Sequence, residues 1–147
     1  MAYTGEDLPS FLEYRIYTFT TTPLLRLHLY FNMTLDLDPA DQMMYDLQID
    51  DGEITSHRLV PEPQRKGELP DGWYFAVQDC VWKRDHGLDG LALHAGVHVI
   101  RIRLRHDNMI LEKLVVNLGG LKDSYLGPNP SYWVGQVEGD SNELEIL

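Results

Sequence analysis

The chain has 147 residues, a length that fits one domain, and 44% of them are hydrophobic, an ordinary share for a protein with a single buried core. Twelve Lys and Arg against 23 Asp and Glu leave a net charge of −11, which argues against nucleic acid and anionic membranes as partners, since clustered cations recognise both. No apolar run approaches the roughly 18 to 20 residues that span a bilayer, Met1 to Asp7 lacks the basic and apolar segments of a secretory leader, and the lone Cys80 permits no intrachain disulfide, so the compartment is left open.

In chain order, Leu12, Tyr14, Ile16 and Thr18 alternate with Glu13, Arg15, Tyr17 and Phe19, a period of two that predicts a strand. After Thr21-Thr22-Pro23 the period resumes, with Leu25, Leu27, Leu29 and Phe31 on one face and Arg26, His28 and Tyr30 on the other, predicting a long half-buried strand in a hairpin with the first. Met43, Tyr45, Leu47 and Ile49 then alternate up to the turn Asp50-Asp51-Gly52, and Ile54 to Val60 returns as a second hairpin. Residues 61–72 form a loop rich in Pro and Gly. From Asp71, a candidate N-cap, Trp73, Ala76, Val77, Cys80 and Val81 follow helical spacing and predict one short helix with Cys80 on its apolar face. Strands are expected at Val97 to Arg105 and Met109 to Leu118, joined by a turn at His106-Asp107-Asn108.

Strands joined by turns, with one brief helix, predict an all-β fold, an antiparallel β-sandwich of the jelly-roll kind seen in carbohydrate-binding modules. Residues 1–10 read as a lead-in, 11–131 as the sandwich domain and 132–147 as an acidic C-terminal tail. One conflict stands in the last strand pair. A two-residue turn would set Arg103 opposite Glu112 and would place Lys113 on the apolar face, so either a bulge shifts the register or the Lys113 stem lies over the core.

Each candidate for chemistry has a structural alternative. His94 and His98 have the spacing of a metal pair on a helix, but Ala95-Gly96-Val97 reads as the approach to a strand, so no metal site is expected there. Asp36, Asp38 and Asp41 supply oxygen ligands for calcium yet lack the glycine turn and late Glu of an EF-hand, and read as a solvated loop. The carboxylate pairs Asp50 with Asp51 and Asp79 with Asp85 sit at a turn and near a helix end, and neither has a spacing diagnostic of glycoside hydrolysis. Ser124 has no nucleophile elbow and no His at motif spacing, and Cys80 reads as a small hydrophobe, so no catalytic residue is assigned. No cofactor is expected. Trp82, Tyr132 and Trp133 are candidates for stacking on sugar rings, with Arg101 and Arg103 available for an acidic sugar's carboxylate; the alternatives are core rings and arginines paired with facing acids.

The segments Leu12 to Phe19, Leu27 to Leu35, Gly96 to Ile102 and above all Gly119-Gly120-Leu121-Lys122-Asp123-Ser124-Tyr125-Leu126-Gly127-Pro128 resemble the C-terminal domain of family 115 glycoside hydrolases, over about Phe11 to Ser131. That resemblance implies a β-sandwich belonging to multidomain xylan α-glucuronidases, a family often secreted, whose catalytic centre lies in an upstream barrel. Nothing in these residues corresponds to the barrel, and the domain's opening strand is expected to be missing before Leu12, so no family catalytic residue carries over. The implied role is a non-catalytic accessory domain packed on sister domains or on a second copy of itself. A weak xylan-binding module is the alternative and a small stand-alone hydrolase the third reading.

Overall fold

The computed structural model describes residues 11–23, 26–36, 38, 40–65, 67–88, 91–122, 124 and 127–131. Nine strands and one helix are placed there: β1 (Leu12–Thr18), β2 (Thr22–Pro23), β3 (Arg26–Asn32), β4 (Met44–Ile49), β5 (Thr55–Arg58), α1 (Trp73–Asp79), β6 (Val81–Gly87), β7 (Ala92–Leu93), β8 (Gly96–Leu104) and β9 (Leu111–Asn117). A four-stranded antiparallel sheet in the order β1-β8-β4-β5 packs against a three-stranded one in the order β6-β3-β9, and β2 pairs with β7. The expected all-β sandwich with one short helix is the fold observed.

The core lies between the two sheets because the period-two faces meet there. Leu27, Leu29 and Phe31 from β3 face Tyr45 and Leu47 from β4 and Ile100 and Ile102 from β8, all buried, and the Phe31 and Tyr45 rings stand 5.0 Å apart. The hairpin expected at Asp50-Asp51-Gly52 forms, with β4 and β5 in antiparallel register.

The other two expected hairpins do not form. β1 runs its whole length against β8, from Leu12 opposite Ile102 to Thr18 opposite Gly96, while β3 lies in the other sheet between β6 and β9. The short β2–β7 pairing at Thr22 and Pro23 marks the crossing between sheets. β8 and β9 are likewise split between the sheets, so Glu112 never faces Arg103, whose neighbour on β4 is Asp46. A register shift between Tyr30 and Phe31 then settles the Lys113 conflict: Leu111 pairs with Phe31, Leu114 with Leu29 and Val116 with Leu27, while Lys113 stands opposite Tyr30 on the outer face. The bulge alternative is the one observed.

Helix α1 begins at Trp73 with no side-chain cap, because Gly72 holds the N-cap place in a left-handed conformation and Asp71 instead accepts from Gln64 Nε2. Cys80 ends the helix at φ 57 and is exposed, so it is no part of an apolar face. Strand β6 follows directly, an element that the sequence reading lacked.

Candidate functional site

The outer face of the three-stranded sheet carries the most organised set of polar groups. Period two turns Arg26, His28 and Tyr30 of the central strand β3 outward, with Lys83 and Asp85 of β6 on one side and Lys113, Val115 and Asn117 of β9 on the other. The register sets His28 opposite Asp85, and His28 Nδ1 lies 2.7 Å from Asp85 Oδ1. Asn117 Oδ1 accepts the Gly119 N–H at 2.9 Å, which turns its Nδ2 toward His28 Nε2 at 3.5 Å. The ring is thus oriented from both sides. Lys83 and Lys113 flank Tyr30, with their ammonium groups 5.5 and 5.9 Å from its ring centroid.

This face is covered, and the cover comes from the run after β9. Gly119 and Gly120, at φ 114 and 71, reverse the chain so that it passes back over the sheet. Gly127, at φ 73, lies so close that a Cβ built on it would stand 3.0 Å from the Tyr30 hydroxyl. His28 and Tyr30, expected on the polar face of a half-buried strand, are consequently only 7% and 6% exposed. A cavity of about 250 Å³ is left between sheet and cover. Its floor is Arg26, His28, Tyr30, Lys83, Asp85 and Asn117, and its wall is Leu121, Lys122, Ser124 and Gly127. Among these described residues three are cations and one is an acid, the reverse of the balance behind the chain's −11. His28, Asp85 and Ser124 share the cavity, but His28 Nε2 is directed at Asn117 and makes no hydrogen bond to Ser124 among the described residues, so the set lacks the nucleophile–base contact of a triad.

A second, half-buried polar cluster lies beside Tyr45. Tyr45 Oη and His86 Nε2 are 2.7 Å apart, and the His57 and His86 rings are 4.3 Å apart. Burial, with His57 and Arg84 close by, depresses the His86 imidazole to about 4, and burial raises the Tyr45 phenol to about 12. These groups are held in their uncharged forms at neutral pH, as a satisfied interior pair requires.

The third feature is a groove of about 750 Å³ between β1 and β9, lined by Tyr14, Ile16, Leu114 and Val116 with Glu13 and Glu112 among its polar groups. Glu13 accepts from Arg15 and Arg101, and those bonds lower its pKa, so it stays an anion and has no proton to donate as a general acid.

The residues expected to bind sugar are not gathered into one place. Trp82 is 2% exposed, packs near Trp73 in the core and donates from Nε1 to the Thr34 carbonyl, leaving no open ring face. Arg101 and Arg103 lie on the outer face of the four-stranded sheet, where Arg101 contacts Glu13 and the Asp50 carbonyl. Tyr132 and Trp133 lie outside the described residues. The acidic loop disperses: Asp36 pairs with Arg58, Asp38 accepts from the Ala40 N–H, and Asp41 lies 3.6 Å from His106. Asp50 holds His98 Nδ1 and the Val99 N–H, a structural role for half of one carboxylate pair. Lys122 and Ser124 were visible in the glycine-rich run, whereas Arg26, His28, Lys83 and Asn117 carried no motif and became a set only through pairing on three strands.

Two antiparallel sheets with a glycine-reversed cover on one outer face define a β-sandwich with a polar surface cavity. Residues 2–130 match the family described as the glycosyl hydrolase family 115 C-terminal domain. The chain belongs to that family and is a domain of the glycoside hydrolase type, as the glycine-rich run indicated. No curated protein matches it.

Proposed function

We propose that the chain is a non-catalytic accessory domain of a xylan α-glucuronidase-type hydrolase, with residues 11–131 as the body that docks on a sister domain. The observation that carries this reading is an apolar patch on the outer face of the four-stranded sheet. There Tyr17 lies opposite Val97 and in edge contact with Phe19, rings 5.0 Å apart, and Phe19 is 87% exposed. Tyr74 and Phe75 on α1 add a second exposed apolar pair. Large aromatic groups at such exposure are the anchors of interfaces. A second reading, carbohydrate binding, is favoured by the polar cavity under the glycine-rich cover.

When the sister domain is not supplied, a second copy takes its place on the bare patch. Sedimentation velocity over a concentration series is expected to show reversible self-association that strengthens with salt, as the −11 charge is screened, and that Phe19→Asp weakens at least about tenfold. A monomer at every concentration, or association indifferent to both Phe19→Asp and Phe75→Asp, would remove the docking surface.

A further inference from the structure

We propose that the cavity on the outer face of the three-stranded sheet is a binding site for the oxyanion of a hydroxylated ligand the size of one sugar ring. The cavity lies on the opposite side of the sandwich from the Tyr17–Phe19 patch, and the proposal is independent of docking.

Charge selects the ligand's sign. Arg26, Lys83 and Lys122 line the cavity, and among the described residues neither Arg26 nor Lys122 has a carboxylate within ion-pair distance. Among the described lining residues the one carboxylate, Asp85, is engaged with His28 at 2.7 Å. A chain with nearly twice as many acids as bases thus gathers three cations around one concavity, which focuses positive potential there. Size and polarity select the body. About 250 Å³ falls below the roughly 300 to 1,000 Å³ of drug-sized sites, and the lining has polar donors and acceptors at Asn117 and Ser124 suited to hydroxyl groups.

The site is also built in advance. Asp85 and Asn117 orient the His28 ring, the Lys83 ammonium lies over the Tyr30 ring at 5.5 Å, and Gly127 allows close approach to Tyr30. Groups ordered before the ligand arrives lose little freedom when it binds.

The test is a titration of the full chain followed by NMR, with the His28 ring as the local reporter, using D-glucuronate, D-glucose 6-phosphate, neutral D-glucose and inorganic phosphate as probes. At least one sugar anion is expected to saturate at about 0.1 to 1 mM, with glucose silent and inorganic phosphate at least about tenfold weaker. The carboxylate and phosphate probes separate a sugar acid from a sugar phosphate. Lys83→Ala with Lys122→Ala is expected to weaken binding by about tenfold or more with Arg65→Ala unchanged. Should that double variant not fold, Lys122→Gln, an exposed substitution on the cover, serves the same end. No binding of either sugar anion, equal binding of glucose or of bare phosphate, or affinity indifferent to the lysines would each overturn the proposal.

Discussion

His86 and His98 are pushed in opposite directions by their surroundings, and the two shifts bracket the stability of the domain in pH. Burial lowers His86 to about 4, so the unfolded chain binds its proton first, and stability is lost as pH falls from the ordinary imidazole value near 6.5 through 4. His57 is lowered too, chiefly by burial, and adds to the same loss. His98 is raised by its bond to the His94 carbonyl and by Asp50, so its contribution is present below 6.5 and disappears as pH rises through its folded value. Denaturant midpoints measured across pH are therefore expected to peak near 6 to 7, with a fall of about 1 to 2 kcal/mol by pH 4 from His86 after solvent screening. A curve still rising below pH 5 would contradict the buried His86 assignment. At the same scale, Trp82→Ala removes a core ring bonded to Thr34 and is expected to cost about 3 to 5 kcal/mol in equilibrium denaturation. A loss within 1 kcal/mol, which surface positions usually show, would mean the ring is a surface platform after all.

At the scale of elements, the strands were legible and their partners were not. The alternation in β3 and β4 named the buried residues, because burial on one face of a strand leaves a period of two in the sequence, whereas in β1 Leu12 and Tyr14 of the apolar face remain exposed. Sheet membership leaves no such trace: a strand that crosses to the opposite sheet has the same periodicity as one that turns back in a hairpin, and both β1–β3 and β8–β9 are crossings. The contradictory position of Lys113 was the one local hint, and it marked the bulge at Glu112. Strand β6 was hidden because two of its inward groups are Arg84 and His86, polar residues that break an apolar alternation, and because Cys80 and Val81 fitted the helical period. The glycine-rich cover was legible as a motif but not as a lid, since only its approach to Tyr30 shows what the glycines allow. That approach is testable: Gly127→Ala meets both a left-handed φ of 73 and a 3.0 Å contact, and is expected to cost about 2 to 3 kcal/mol. Tyr30→Phe should recover the steric share, giving a double-mutant coupling of about 1 kcal/mol; strict additivity would show the cover does not close on the ring.

At the scale of the whole molecule, the two outer faces differ in character. The four-stranded sheet shows an apolar patch at its β1–β8 edge, and the three-stranded sheet shows a cationic cavity beneath the glycine-rich cover. β3 is the central strand of its sheet, and among the described strands β1, paired only with β8, is one of the sheet edges. Among the described residues, neither polar concavity brings together the acid pair of glycoside hydrolysis. The cavity's one described carboxylate is tied to His28, and in the groove Glu13 is held as an anion by two arginines, leaving no general acid opposite Glu112 among the described residues. The most direct measurement of the accessory role is the release of glucuronic acid from glucuronoxylan by the purified chain, followed with Glu13→Gln, Asp85→Asn and Glu112→Gln alongside. A rate equal to the enzyme-free blank for all four proteins is predicted; turnover by the parent chain that any one of these substitutions abolishes would contradict it.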